Sequence, residues 1–374
     1  MTKRERLLRV LNRKEPDRIP WLIYPLLTIF GEAELRYRNM GLSYYVPRPV
    51  HHLVRENVDI WDKVSINEKD QVSIIQRHYA TPKGEIIGKY KIPYEAAPQT
   101  LEEAGLWHPS CIPGEGTWTV EYPFRSVDDY PVLEFIIENS IYTPDYDKYY
   151  TNNTFLGDEG IVMAGLGKSP FQAIIYDWMG HETCFFEVHD HPDKFNRLYD
   201  IMYEKQLELC KIAAESPADI VWEGENVTEV LTAPKYFEQY CMPFYKKIAP
   251  IIHEKGKLYG AHLDGQLLHL KDLIAKTPFD FIDAVTPPPL GNLPIEEARA
   301  SWTDKTIICN FPENVYHWKN DDIKKYMIEL LKKVAPGNNF ILSTTENYPS
   351  DRWVDTFDII GEILDKCGSY PVKL

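Results

Sequence analysis

The sequence has no C-x-x-C pair, no biased tract and no basic patch. It also has no run of about eighteen consecutive apolar residues, the length a membrane-spanning helix needs. Each absence excludes something. Six cysteines, at 111, 184, 210, 241, 309 and 367, are scattered singly along 374 residues. Spaced this way they read as reduced thiols, with Cys210 and Cys241 filling helix faces in the core. The start, "KRERLLRVLNRK", lacks the uninterrupted apolar core of a signal peptide, and its leucines fall at helical spacing instead. A cytoplasmic protein with no membrane contact is predicted. The formal net charge of −15 would repel a polyanion, which argues against a nucleic-acid partner.

What remains is the composition of a globular protein, 44% hydrophobic and 26% charged. The 24 tyrosines and 9 tryptophans suit a protein that lines a sizeable pocket, or equally one with a thick core. Residues 2–14 form a helix by their leucine pattern, and "EPDRIP" stops it, because Pro16 and Pro20 cannot continue it. "IPWLIYPLL" reads as a buried strand, and residues 32–60 as mixed helix and loop. "QVSIIQRHYATPKGEIIGKYKIPY" alternates on both sides of Pro82-Lys83-Gly84 and predicts an antiparallel hairpin decorating the main fold.

From residue 160 the rhythm changes to strand, loop, helix. "GIVMAGLG" opens the series. "ADIVWEGEN", "KLYGAHLDG", "FDFIDAVTPPP", "TIICNFPEN" and "FILSTTENYP" follow, each an apolar strand leading into a helix. Such alternation requires a parallel sheet with right-handed crossovers. The number of units and the length favour an α/β fold of one domain, a single (β/α)8 TIM barrel over residues 1–374. The barrel is expected to carry an N-terminal helical and β-hairpin elaboration, with 65–125 as an inserted hairpin and loop region. Each strand ends in polar residues: Glu223, Glu225 and Asn226; His262 and Asp264; Asp283 and Thr286; Cys309 and Asn310; Thr344, Thr345, Glu346 and Asn347. In such a barrel the C-terminal strand ends converge on one mouth, where active sites lie. His262 and Asp264, two apart on a strand, share a face, as do Glu223 and Glu225. The glutamates suit a general acid, since two adjacent carboxyls push one pKa upward. Asn226, Asn310 and Asp283 are candidates for binding substrate. Cys309 alternates with Asn310, so its direction stays open.

Three stretches resemble the uroporphyrinogen decarboxylase superfamily. "RERLLRVLNRKEPDRIP" is similar to its opening helix and Arg-(Ile/Val)-Pro passage into the barrel. "TAPKYFEQYCMPFYKKIAPIIHEKGKLYGAHLDG" resembles its central stretch, which ends in His-x-(Asp/Cys)-Gly. "TWTVEYPFRSVDDYPVLEFII" is similar to the connecting region of members linked to methyl transfer. The resemblance covers most of the chain and implies the same (β/α)8 barrel. The decarboxylases themselves carry an arginine-rich motif for the substrate's carboxylates, and here no arginine occurs from Trp21 to Phe30. Arg36 and Arg38 follow without restoring the motif.

The other branch, the cobamide-dependent methyltransferases, holds zinc at the mouth through His-x-Cys and a further Cys on the last strand. The resemblance places His262 at the first ligand. Asp264 stands where the first Cys would be and Glu346 at or near the second. This substitutes oxygen for sulfur, still within zinc's repertoire. The expected enzyme moves a methyl group between a small O- or N-methylated compound and the corrinoid of a partner protein. A metal on His262, Asp264 and Glu346 assists, with Asp264 also catalytic beside Glu223 and Glu225. No region resembles a corrinoid-binding domain, so the cobamide arrives on a separate protein, and the family suggests a homodimer. Two other readings stay open: a metal-independent decarboxylase or lyase of a carboxylated substrate, and a non-catalytic barrel that binds a corrinoid or tetrapyrrole.

Overall fold

The structure, a computed structural model, describes residues 1–27, 31–67, 72–93, 118–344, 348–349 and 351–374. Eight parallel strands close into a barrel in chain order. They are β1 (Trp21–Ile23), β2 (Leu42–Pro49), β3 (Gly160–Gly165), β4 (Ile220–Val227), β5 (Leu258–Leu263), β6 (Phe281–Val285), β7 (Thr306–Asn310) and β8 (Phe340–Thr344). Closure is made at β1, where Trp21 pairs with Leu42 on one side and Leu342 on the other. Helices Ile295–Ser301, Asn320–Val334 and Trp353–Cys367 follow β6, β7 and β8. The helix after β4 starts at Pro234 and runs to His253, with one π-helical turn at Phe237–Cys241.

The fold class expected from the sequence is the one observed, with one strand in an unexpected place. "LSYYVPRP", within the stretch read as helix and loop, is β2 and pairs with β3 from Tyr44↔Gly160 to Pro49↔Gly165. Pro47 and Pro49 hide it, because a proline cannot donate to a ladder and argues against an interior strand.

The barrel interior is filled by side chains at alternate positions. Leu22, Tyr45, Ile161, Met163, Ile220, Trp222, Phe281, Ile308 and Ile341 form one buried cluster with Tyr24. The helix Lys3–Leu11 supplies Leu7, Val10 and Leu11 to the same cluster. It is tied by Thr306 Oγ1, at the start of β7, which donates to the Val10 carbonyl at 2.8 Å. This helix is therefore the floor of the barrel. Its N-terminus is fixed by a capping box between Thr2 and Glu5.

Residues 1–50, 145–167 and 213–374 make up this barrel unit; His51–Pro144 and Lys168–Ile212 make up a second compact unit. In the second unit the predicted hairpin is present, Val72–Thr81 pairing with Gly84–Pro93. Flanking strands Asp59–Asn67 and Trp118–Glu121 complete a four-stranded antiparallel sheet. The antiparallel region extends past residues 65–125 on both sides, because His51–Arg55 pairs with Ser140–Pro144. Among the described residues no helix is long and apolar enough to cross a membrane.

Candidate active site

The upper tier of the barrel interior is polar. Strand β5 carries Gly260 and His262 on the inward face, and β6 carries Phe281 and Asp283. Gly260 leaves the space that the Phe281 ring fills, since a Cβ there would lie 2.2 Å from the ring. One step up, His262 pairs with Asp283. Asp283 is fully buried, and its Oδ2 is the focus of the tier. It accepts from the Tyr24 hydroxyl at 2.5 Å and from Trp222 Nε1 at 3.1 Å. His262 Nδ1 lies 3.1 Å from the Tyr24 oxygen and 3.5 Å from Asp283 Oδ2. Tyr45 closes the group beside Tyr24, with ring centroids 5.6 Å apart. Burial and the nearby Asp283 push the Tyr45 phenol well above its ordinary pKa. Asn310 Nδ2 donates to Thr286 Oγ1 at 3.2 Å, and Ser343 pairs with Asn310 on the neighbouring strand. The Tyr45 hydroxyl, Asp283 Oδ1 and Ser343 Oγ are buried with no hydrogen-bond partner among the described residues.

The backbone under this tier is irregular. Strand β6 shifts register between Ile282 and Val285, and Ala284 sits there at φ 64°, a left-handed conformation costly for any residue with a Cβ. Strand β4 shifts between Glu223 and Val227, with Asn226 at φ 53°. Bulges of this kind re-aim side chains and cluster at active sites.

Asp264 follows the end of β5, half-buried, its N–H donating to the Val227 carbonyl at 3.1 Å. Its loop is held from the next loop by Asn292, whose Oδ1 accepts from the Leu267 and Leu268 amides at 2.9 and 3.1 Å. Glu346, with Thr345 and Asn347, lies outside the described residues. Among the described residues no three His, Cys, Asp or Glu side chains converge as a metal centre.

Glu223 and Glu225 are fully buried, on the other face of β4 from Trp222. Tyr259 donates its hydroxyl to Glu223 Oε2 at 2.8 Å. The Tyr259 and Tyr245 rings both pack on Phe279, at 4.9 and 4.7 Å, and Tyr245 belongs to the helix Met242–His253. The two carboxyls therefore stand between the strand and the helix layer. Asn226 is exposed at the bulge. Cys309 falls between the inward positions Ile308 and Asn310, so its thiol points outward, and burial pushes its pKa up.

A model of the family described as uroporphyrinogen decarboxylase (URO-D) matches residues 148–356, more than half of the 374-residue chain. The chain belongs to the URO-D family. Among solved structures it is similar to a methyltransferase from Methanosarcina mazei, at 14% identity and a TM-score of 0.54, over 98% of this chain and 99% of the other. That likeness concerns the fold. An endo-glycoceramidase II from Rhodococcus sp. aligns at 11% identity and a TM-score of 0.37, over 57% of this chain and 66% of the other. No curated protein sequence matches the chain.

Within this URO-D chain the polar tier brings together His262, Asp283 and, beside them, Asn310 with Thr286. Sequence reasoning missed Tyr24, Tyr45, Trp222 and Ser343. The available signal was position, since Tyr24 directly follows the apolar β1 and Trp222 immediately precedes the acidic end of β4. Arg36 and Arg38 are engaged by Asp358 and Glu34 and take no part in the tier.

Proposed function

We propose that this URO-D-family chain is a cobamide-dependent methyltransferase. It transfers a methyl group from an O- or N-methylated small molecule to the cobalt of a corrinoid carried by a separate protein, or the reverse. The observation that carries this reading is the support given to His262. Its Nδ1 faces a buried Tyr24–Asp283 pair, and Nε2 lies on the opposite edge of the ring. Imidazoles that bind metals characteristically have their second nitrogen engaged this way by a carboxylate or an equivalent acceptor. The donor set would be one imidazole nitrogen from His262 and carboxylate oxygens from Asp264 and Glu346, all acceptable to zinc. A metal bound there would supply a Lewis acid to the heteroatom that carries the methyl group.

The chain's own residues do the rest. The methyl group leaves without its bonding pair, which stays on the oxygen or nitrogen, while cobalt supplies the pair for the new bond. The donor must be held with its methyl group turned outward, and Asn310 and Thr286 offer hydrogen bonds at the tier for that purpose. Asp283 and Trp222 keep His262 in place while charge develops. Glu223 and Glu225 stand behind β4 and do not reach the reacting atoms, so the proton for a departing alkoxide or phenolate comes from the mouth side, where Asp264 sits.

A decarboxylase acting on several carboxylates would need paired cations, because guanidinium forks provide the strong bidentate contacts. Among the described residues the tier is built from Tyr24, Tyr45, Trp222, His262, Asp283, Thr286, Asn310 and Ser343, with no lysine or arginine. The test is to incubate the protein, purified without chelators, with cob(I)alamin and a panel of methoxylated and N-methylated compounds. Methylcobalamin absorbance together with bound metal is expected, both lost in His262→Ala. Metal-loaded protein that turns over nothing across the panel would overturn the assignment.

A further inference from the structure

We infer, on the reading of Asp264 given above, that Glu229 and Asn292 are positioning residues that hold the loop carrying Asp264 in one place at the barrel mouth. The hold comes from the neighbouring loops. Of the six backbone amides from Asp264 to His269, five donate to the end of β4 or to the loops after β4 and β6. The Asp264 amide donates to the Val227 carbonyl at 3.1 Å, and that of Gln266 to Thr228 Oγ1 at 3.3 Å. Asn292 Oδ1, from the loop after β6, accepts from both the Leu267 and Leu268 amides, at 2.9 and 3.1 Å. Glu229 Oε2, from the loop after β4, accepts from the His269 amide at 2.6 Å.

The two side chains are also bonded to each other. Asn292 Nδ2 donates to Glu229 Oε1 at 2.8 Å, and His269 Nδ1 lies 2.9 Å from the same oxygen. The carboxylate thus sits among donors from two other loops, which makes it the joint of a three-loop clasp. Desolvation would raise the Glu229 pKa, but the hydrogen bonds from His269 and Asn292 outweigh it and hold the carboxyl below its usual range. Charge-assisted bonds of this kind are the strong ones. The backbones close up as well. A Cβ at Gly291, next to Asn292, would lie 2.8 Å from the Gly265 carbonyl and 1.8 Å from that of Thr286. The loop after β6 therefore rests directly on the residue that follows Asp264. Among the described residues neither Glu229 nor Asn292 hydrogen-bonds to the polar tier, so both act through the loop. A ligating or proton-bearing carboxylate needs that support, because a site left an ångström too loose loses much of its function.

The test uses the full-length protein, treated with chelator, and two variants. Glu229→Gln keeps the size but turns one acceptor into a donor, which sets it against the His269 amide or the Asn292 side chain. Asn292→Ala removes the acceptor of the Leu267 and Leu268 amides. Hydrogen exchange read by mass spectrometry should quicken about tenfold or more across residues 265–269 in both variants. It should stay unchanged in β5 and in the helix Asn320–Val334. Zinc affinity, titrated at a temperature where each variant is folded, should weaken by about tenfold or more. Loop exchange at the native rate overturns the inference. So does faster exchange with zinc bound as tightly as before, since the clasp would then serve the loop and not Asp264. If Asn292→Ala fails to fold, Glu229→Gln, which is isosteric, decides. A native protein that takes up no zinc would remove the metal from the proposed function, and the exchange rates alone would then decide whether Glu229 and Asn292 hold the loop.

Discussion

Replacing Glu223 with glutamine should stabilise the protein, and by more as the pH rises. Glu223 is fully buried; burial first, then the charge of Glu225 beside it, raise its pKa well above the ordinary carboxylate range. The hydrogen bond from Tyr259 opposes the shift without cancelling it. In the unfolded chain the same carboxyl titrates near its reference value of about 4.3. Above that pH the native state keeps a proton that the unfolded state has released. Stability therefore falls as pH rises through the window between the unfolded and folded pKa values, by about 1.4 kcal/mol per pH unit for one proton. Glutamine has no proton to lose and preserves the shape and the acceptor for Tyr259. The difference in unfolding free energy between the variant and the native protein should thus grow with pH, by at most about 1.4 kcal/mol per unit, as long as the pH lies between the unfolded and folded pKa values. Urea unfolding of both proteins at three pH values measures it; titrations elsewhere cancel in the difference, and Glu225, which interacts with Glu223, enters it as part of the same pair. A difference that stays flat with pH would refute the claim that Glu223 is held protonated.

Three other outcomes are expected. Ala284→Gly should be close to neutral, because relief of the left-handed strain, about 1–2 kcal/mol, offsets the lost methyl burial and the freer unfolded chain. Ala261→Gly, buried on β5 without that strain, should cost roughly 1–2 kcal/mol more; equal losses in urea unfolding would mean that Ala284 is not strained. Gly260→Ala drives a methyl into the Phe281 ring, and overpacking of this kind costs about 1–3 kcal/mol. Its melting temperature should fall, and an unchanged value would show that the inner layer has room. In native protein, iodoacetamide should modify half-buried Cys367 and spare Cys309 and Cys184, whose thiols burial pushes up, the latter to about 12. Mass spectrometry that finds Cys309 alkylated as fast as Cys367 would contradict the outward, sealed position assigned to it.

Much of the barrel was legible because its later strands are short apolar runs that end in polar residues and lead into helices. Local alternation was sufficient there, and it also put His262, Asp283 and Asn310 among the candidates. It fell short in two ways. Strand β2 carries Pro47 and Pro49, which are tolerated only because tertiary pairing with β3 outweighs their poor propensity. The polar tier depends on barrel closure, which brings Tyr24 to Asp283 across 259 positions of sequence. No local pattern reports such a contact, and an aromatic residue in an apolar stretch looks like core until its single polar atom finds a partner. Glu223 and Glu225 show the converse. That they share a face follows from their spacing, but which face it is follows only from Ile220 and Trp222 lying inside.

The helix Lys3–Leu11 closes one end of the barrel interior. If the proposed carrier protein docks at the open end, a small reactant would have to arrive before the carrier covers the rim, and its remnant would depart only after the carrier lifts away. That geometry would impose an order on arrivals and departures, whatever their individual affinities. Leu7, Val10 and Leu11, far from any chemistry, would in that sense set the sequence of events.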